Sequence, residues 1–222
     1  MALSHNPLIA TSGLVLALDA ANTKSYPGSG VSWYDISGNN NHATLVNSPT
    51  VTSGCLVFNG TNQYGTVSHN STLWNGQTFT LIAGCYKTTA TSSRGIVISK
   101  DSNYIDTSFN NNGYKIMDSF YNASAAQTLF YGNSAVQNAW RIHTYTYNGS
   151  SANMYENGII ASTNTISGLL MNTGGSLYLC NYDGGGAYYF GGSVAFFHVY
   201  NRALNSGEVL QNFYAVRGRF GL

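Results

Sequence analysis

The chain has 222 residues and a formal net charge of +1, and charged residues make up only 8% of it. A balance this close to neutral excludes the general electrostatic attraction by which basic proteins bind nucleic acid or an anionic membrane. Aromatic residues reach 14% and Gly reaches 25 residues, a composition that favours short strands and tight turns over disorder. Neither nucleic acid nor a membrane is therefore expected as a partner.

The first predicted element is a core strand over residues 14–19. Its apolar run is too short to cross a bilayer. The segment before it lacks the basic residues of a secretory leader, and Asp19 lies where a cleavage zone is normally uncharged. We therefore expect a protein that is made in a cytoplasm without a signal peptide.

A polar loop at residues 35–42 follows this strand. Asp35, Asn39 and Asn41 carry carboxylate and carboxamide oxygens, which are the ligands that Ca²⁺ prefers. The same side chains can instead form Asx-turns with their own backbone. The loop holds a single carboxylate, so the Asx-turn interpretation is favoured. No cofactor is required by the sequence, and calcium is the only one that it makes possible.

Further strands are predicted at short intervals between Gly, Asn and Ser turns, as in a sandwich or barrel. Asn148-Gly149 and Asn157-Gly158 each lie between strand-like runs, which predicts two type I′ hairpins and a three-stranded meander. The predicted strands are residues 14–19, 55–58, 65–67, 79–87, 94–99, 113–118, 128–131, 140–147, 152–156, 159–162, 176–180 and 191–200.

One helix is predicted near the end of the chain, over residues 206–215. Asn205 can cap it, and Glu208 lies three residues later, as a capping box requires. No linker or internal repeat divides the sequence. We therefore expect an N-terminal arm at residues 1–12 and a single domain at residues 13–222.

Catalytic residues are not evident in the sequence. Glycosidases on β-sandwiches usually carry two carboxylates two residues apart on one strand, and no Asp or Glu pair here has that spacing. No Gly-x-Ser-x-Gly elbow occurs, and no phosphate-binding loop precedes a helix. His143 and His198 alternate with apolar neighbours, which is typical of structural rings. The sequence thus predicts that the chain is not an enzyme.

A possible carbohydrate site combines Asn181, Tyr182 and Asp183 with Tyr188. Asp and Asn can orient hydroxyl groups, and an aromatic face can stack on a sugar ring. The alternative interpretation is that these tyrosines belong to the core or to an interface.

The cysteines Cys55, Cys85 and Cys180 each lie in an apolar stretch, without the spacing of a zinc site. We interpret them as small buried hydrophobic residues. A Cys55–Cys180 disulfide stays open at this stage.

Taken in order, several short motifs resemble the laminin-G-like, concanavalin-A-like domains of bacteriophage and environmental virus proteins. The resemblance implies an all-β fold, a two-sheet antiparallel jelly-roll sandwich with one short C-terminal helix. Gln63 stands where the family pattern often has Asp. The motifs are residues 13–20, 25–30, 33–39, 57–64, 79–81, 140–149, 155–158, 189–192 and 199–204, with Glu208.

The C-terminal residues 211–220 also resemble the tails of such proteins in tailed-phage virions. This resemblance implies a structural or decoration protein on the capsid or tail, made in the host cytoplasm and held by contacts with other virion proteins. Arg217 and Arg219 are candidate partner-binding residues, and a homo-oligomer is expected because virion parts follow the particle's symmetry. The alternative function is a lectin-like module that adsorbs to host surface glycan, and a glycan hydrolase or lyase is a remote one.

Overall fold

The computed structural model describes residues 7–73, 78–88, 95–100, 105–109, 116–121, 126–131, 138–165, 174–182 and 188–222. Within them, sixteen strands precede one α-helix and a short 3₁₀ turn. The strands are β1 Leu14–Asp19, β2 Ser32–Trp33, β3 Ala43–Val46, β4 Thr50–Thr52, β5 Cys55–Asn59, β6 Tyr64–Val67, β7 Phe79–Lys87, β8 Gly95–Lys100, β9 Ile105–Phe109, β10 Ile116–Tyr121, β11 Ala126–Tyr131, β12 Trp140–Tyr147, β13 Ser151–Glu156, β14 Ile159–Thr165, β15 Leu177–Leu179 and β16 Gly191–Tyr200. The helix α1 is Ser206–Val216, and the 3₁₀ turn is Arg217–Arg219.

The strands form two antiparallel sheets. The first, which we name the helix-side sheet, has the order β14-β13-β12-β7-β16-β5-β4, and β1 also pairs with β16. The second sheet has the order β11-β10-β9-β8-β15-β6-β3-β2. This arrangement confirms the predicted all-β, two-sheet antiparallel sandwich with one short C-terminal helix.

The main core fills the space between the two sheets. Side chains from both contribute to it, including Trp33, Leu56, Leu81, Leu179 and Phe197, which are almost fully buried. Trp33 from the second sheet meets Phe197 edge-on, with ring centroids 5.8 Å apart. Large, flat side chains on alternate strand positions therefore hold the layers together.

A second hydrophobic cluster covers the opposite face of the helix-side sheet. Ile82 and Phe196 from the sheet pack there with Val209, Phe213 and Val216 from α1. Both faces of the central strand β7 are consequently buried, with Leu81 in the inter-sheet core and Ile82 in the outer cluster. The protein thus has three layers: a helix, the helix-side sheet and the second sheet.

The helix begins where the sequence predicts. The Asn205 side chain accepts a hydrogen bond from the Glu208 backbone, and the Glu208 carboxylate accepts one from the Asn205 backbone. This reciprocal arrangement is the predicted capping box. Arg202 binds the same carboxylate through two hydrogen bonds of 2.9 and 2.6 Å.

The described part of the predicted N-terminal arm packs on the domain itself. The Ala10 backbone donates to the Asn212 side chain at 2.7 Å, and the Tyr200 hydroxyl donates to the Ala10 carbonyl at 2.8 Å. The Gln211 side chain donates to the Leu8 carbonyl at 2.6 Å. Residues 8–10 are therefore tied to α1 and β16. Among the described residues, no helix combines the length and apolarity that a membrane span requires.

One of the two predicted type I′ turns is confirmed. Asn157 and Gly158 both have positive φ values, 51° and 78°, as that turn requires. The prediction for Asn148-Gly149 is wrong, because only Gly149 has a positive φ there. The Asn148 side chain instead accepts hydrogen bonds from the Ser150 and Ser151 backbones, which forms a wider Asx-type loop.

All three cysteines are free and buried. Cys55 belongs to the outer cluster, whereas Cys85 and Cys180 belong to the inter-sheet core. Because a strand layer separates Cys55 from Cys180, the disulfide left open by the sequence does not form.

A close approach at Gly84 gives the first testable prediction. The Phe196 ring lies against the Gly84 backbone on the neighbouring strand, so a Cβ atom there would overlap the ring. We expect Gly84→Ala to lower the free energy of unfolding by about 1–3 kcal/mol, because a packed core resists an added carbon. Urea denaturation measures the change. Gly218→Ala, at a position with open space around it, is the control that should leave stability nearly unchanged; equal effects of both variants would contradict the packing argument.

Candidate functional site

Two tyrosines meet at one end of the sandwich, between β15 and β16. The rings of Tyr182 and Tyr188 are perpendicular, at 89°, with centroids 5.9 Å apart. Tyr188 is 38% exposed and Tyr182 is half-buried. Beside them, Tyr189 packs against Tyr64 with ring centroids 6.3 Å apart. We name these four residues the tyrosine rim.

The backbone beneath the tyrosine rim is firmly held. The Ser99 hydroxyl contacts the carbonyl oxygens of Asn181, at 2.9 Å, and of Tyr182. The Phe190 backbone donates to the Cys180 carbonyl at 2.9 Å. Cys180 and Tyr188 both adopt left-handed backbone conformations, with φ values of 65° and 62°. Non-glycine residues rarely adopt this conformation without support from their surroundings, so the fold holds the backbone at both positions.

Three of the predicted carbohydrate-binding residues can be placed. Tyr182 and Tyr188 come together at the rim, as described above. Asn181 is fully buried. Asp183 lies outside the described residues. A carbohydrate role for these positions stays a prediction.

A wall of carboxamides adjoins the rim at residues 59–63. The Asn59 side chain accepts hydrogen bonds from the backbones of Thr61 and Asn62, at 2.9 and 3.1 Å. The Gln63 side chain donates to the carbonyl oxygens of Asn47 and Ser48, both at 3.0 Å. A carboxylate could not donate these bonds. The Gln that departs from the family pattern therefore ties two loops together.

The Asp35 carboxylate is the centre of a loop clasp. One oxygen accepts from the backbones of Ala17 and Ser37, each at 2.8 Å. The other accepts from the Ser37 hydroxyl at 2.8 Å and from the Asn41 backbone at 3.0 Å. These contacts match the Asx-turn interpretation of the loop.

The neighbouring carboxamides bind the first strand. Asn41 is 3% exposed, and its side chain donates to the Val15 carbonyl at 2.6 Å. The Asn39 side chain donates to the Leu14 carbonyl at 3.1 Å. Asp35, Asn39 and Asn41 thus join their loop to β1. Among the described residues, no group of three or more His, Cys, Asp or Glu could hold a metal ion. Calcium binding stays the less favoured of the two interpretations of this loop.

The two C-terminal arginines have different surroundings. Arg217 lies over the ring of Tyr214, with its guanidinium carbon 4.9 Å from the ring centre. Tyr214 is 42% exposed, so this pair lies at the surface. Arg219 instead binds both oxygens of Asp19, at 2.8 and 2.9 Å. Arg217 is therefore the more available of the two for a partner.

A charged cluster that the sequence did not predict lies on the inter-sheet face of the helix-side sheet. Arg141 pairs with Glu156 at 2.6 Å, and the register places His143 opposite Glu156 and Cys85 opposite Arg141. Lys87 lies two residues beyond Cys85 on the same face. Cys85 and Lys87 are two residues apart, as are Arg141 and His143, so the sequence indicated that each pair shares one face of its strand. It did not indicate which face of the sheet is buried.

Burial controls the protonation of this cluster. It lowers the pKa of His143 to about 3, and the nearby Arg141 charge acts in the same direction. It raises the pKa of the Glu156 carboxyl, which Arg141 partly opposes. The pKa of Cys85 rises to about 12 and that of Lys87 falls, both because charged forms lose hydration when buried. His143 and His198 are both buried, which fits their interpretation as structural rings.

Residues 59–210 match a laminin G family model that is described as the concanavalin A-like lectin/glucanases superfamily. The sequence matches no curated protein. Among solved structures, the chain is similar to the Trypanosoma rangeli sialidase in complex with sialic acid, with a TM-score of 0.71 and 18% identity over 93% of this chain. It spans only 33% of that sialidase chain.

Two toxin structures also share the fold. The binding domain of Paraclostridial Mosquitocidal Protein 1 matches 90% of this chain and 52% of its own, with a TM-score of 0.71 and 16% identity. The binding domain of botulinum neurotoxin DC, in complex with rat synaptotagmin II, matches 90% of this chain and 51% of its own, with a TM-score of 0.69 and 12% identity. Identities this low establish the fold alone.

These similarities correct one prediction from the sequence. The exclusion of enzymes is wrong, because the same fold occurs within the chain of a sialidase, which is an enzyme. The absence of closely spaced carboxylates in the sequence therefore does not separate this chain from enzymes.

The Asp35 clasp gives the second testable prediction. Asp35→Ala should lower the free energy of unfolding by about 3 kcal/mol, because the buried Ala17 and Asn41 backbone donors lose their acceptor. Chemical denaturation measures the loss, and Asn39→Ala, at an exposed position, is a milder control. Adding calcium should leave the melting temperature of the wild type unchanged. A calcium-dependent rise that disappears in Asp35→Asn would instead establish a metal site.

Proposed function

Because the chain belongs to the concanavalin A-like lectin/glucanases superfamily, we propose that it is a lectin-like binding module whose tyrosine rim contacts surface glycan. The observation that carries this proposal is the perpendicular pair of Tyr182 and Tyr188 at the end of the sandwich. One ring is exposed, and its partner supports it from the side. An exposed aromatic face held in one orientation can stack on the C–H face of a sugar without an ordering cost at binding.

The rim also has the polar groups that a sugar needs. The carboxamide wall at residues 59–63 presents exposed Asn and Thr side chains beside Tyr64. Their own hydrogen bonds fix their positions, so they offer hydrogen-bonding groups in a set geometry. Neutral carboxamide and hydroxyl groups of this kind can both donate and accept hydrogen bonds, so they suit hydroxyl-rich ligands better than they suit charged ligands.

The structural relatives support a binding role. Two of them are toxin binding domains, one solved with synaptotagmin II, and the sialidase was solved with sialic acid. Recognition of a receptor or of a sugar thus occurs in proteins that contain this fold. For the present chain the ligand class is inferred from the rim itself.

A glycan array tests this proposal. We expect the wild type to bind at least one host-surface glycan, and Tyr188→Ala and Tyr182→Ala to weaken that binding at least tenfold, about 1.4 kcal/mol, since each removes a stacking or supporting ring. Tyr34→Ala is a matched control, because Tyr34 is 42% exposed and also meets a ring, His42, edge-on. A silent array with and without calcium, or equal losses in all three variants, would contradict the proposal.

We also propose that this module is a homo-oligomeric virion component, exposed on a phage capsid or tail and held there by other virion proteins. The order of the sequence motifs and the resemblance of residues 211–220 to virion proteins support this placement. The exposed pair of Arg217 and Tyr214 adds a structural reason. Arg and Tyr are enriched at the centres of protein interfaces, where a stacked pair provides both a large contact area and donors.

Incorporation into particles tests this second proposal. Immunogold labelling should mark intact particles, and Arg217→Ala and Tyr214→Ala should reduce the number of copies per particle severalfold, because each removes half of the stacked pair. Lys24→Ala, which removes an exposed charge elsewhere, is the control and should incorporate normally. Particles that carry no label would count against the virion placement, and normal incorporation of both variants would count against this contact surface.

A further inference from the structure

A cleft on the outer face of the helix-side sheet lies beside the C-terminal turn, apart from the tyrosine rim. Its volume is about 540 Å³, within the range of small-molecule sites. We name it the outer-face cleft. It is lined by Val57, Trp140, Ser193, Arg219 and Phe220, with Thr52, Ser53, Cys55 and Ala21 around them.

Strand register builds the floor of this cleft. Val57 on β5 pairs with Ser193 on β16, which pairs with Tyr86 on β7, which pairs with Trp140 on β12. These four residues therefore form one row across the sheet, on the face away from the second sheet. Val57 and Ser193 are small, so the row is low at its β5 end and rises through the Tyr86 ring to the Trp140 indole at the other end.

The walls of the cleft come from distant parts of the chain. The Ser53-Gly54 turn between β4 and β5 has two positive φ values, 51° and 72°. Gly54 lies against Ala21, and a Cβ atom at Gly54 would be 2.9 Å from the Ala21 methyl group. On the other side, the two hydrogen bonds between Arg219 and Asp19 hold the C-terminal turn in place. The cleft is therefore a fixed feature rather than a gap between loose segments.

Trp140 forms a rigid aromatic wall. Its ring packs against Phe220 with centroids 4.6 Å apart and against Tyr86 with centroids 5.7 Å apart. It nevertheless remains half-exposed on the cleft side. An indole that is held between two rings cannot turn away, so the cleft presents the same apolar edge before and after a ligand binds.

The chemistry of the lining narrows the ligand class. The positive charge of Arg219 is balanced by Asp19 at 2.8 Å, so an anion would gain little net attraction. The hydroxyl groups of Thr52, Ser53 and Ser193 and the guanidinium of Arg219 do not suit a purely apolar ligand. An uncharged molecule that combines apolar C–H groups with several hydroxyl groups matches both features of the lining.

We propose that the outer-face cleft is a second saccharide-binding site, which takes a neutral oligosaccharide of a few rings. The exposed edge of Trp140 and the Phe220 ring contact C–H groups of the sugar, and Ser193, Thr52 and Arg219 hydrogen-bond to its hydroxyl groups. The proposal shares its ligand class with the proposed function but depends on different residues. Two sites on one module would raise its avidity for a polymeric glycan.

Nuclear magnetic resonance on the full chain tests this site directly. The indole N–H signal of Trp140, assigned by its loss in Trp140→Phe, is followed while maltotriose, cellotriose or tri-N-acetylchitotriose is added. We expect a saturable shift with at least one of the three sugars. Ser193→Leu, which fills the floor, and Thr52→Tyr, which narrows the exposed wall, should each weaken the interaction at least tenfold.

The controls separate this site from the tyrosine rim. Tyr188→Ala should leave the Trp140 titration unchanged, while Ser193→Leu and Thr52→Tyr should leave rim-dependent binding on the glycan array unchanged. Thermal melting checks that both cleft variants fold, and the exposed position of Thr52 makes that variant the safer one. The proposal is overturned by the absence of a saturable shift with all three sugars, or by a shift that both folded cleft variants retain.

Discussion

The rest of the structure depends on the burial of both faces of the helix-side sheet. Its central strands β7 and β16 face the second sheet on one side and α1 with the C-terminal turn on the other. Apolar residues therefore occur at nearly every position of these strands, and the buried area no longer follows a simple alternation. Gly84 is part of the same constraint, because a side chain there would occupy the space that Phe196 takes on the outer face.

Both proposed binding surfaces lie where this coverage ends. The tyrosine rim is at the end of the sandwich, between β15 and β16, where Tyr188 is exposed. The outer-face cleft is beside the helix, where α1 gives way to the 3₁₀ turn and the Arg219–Asp19 pair closes one side. Rigid strands support aromatic side chains in each place, and this is how rigid scaffolds usually present binding residues.

Local signals in the sequence predicted the elements that depend on local chemistry. The Asn205–Glu208 capping box, the Asn157-Gly158 turn and the long apolar strands β7 and β16 were all found from sequence, because each needs only neighbouring residues. The strands β2, β3, β4 and β9 were missed because short or largely polar segments form strands only when partner strands are supplied from elsewhere in the chain. Which residues share a face of the sheet was harder still to predict. Trp140, Ser193 and Val57 lie in one row because of the registers between distant strands, and no local sequence pattern carries that information.

The described carboxylates explain why both proposed binding surfaces rely on groups that add no net charge. Asp19 binds Arg219, Glu156 binds Arg141 and Glu208 binds both Arg202 and the helix start. Asp35 accepts hydrogen bonds from two segments of backbone. Each of these acids therefore joins two segments of the chain, such as two strands, a loop and a strand, or a strand and the C-terminal turn. What is left for the rim and for the outer-face cleft is aromatic rings, hydroxyls, carboxamides and the Arg219 guanidinium, whose charge Asp19 balances. Attraction through such groups is short-ranged and little screened by salt, so selectivity must come from shape and from the fixed directions of hydrogen bonds, which the rigid sandwich supplies.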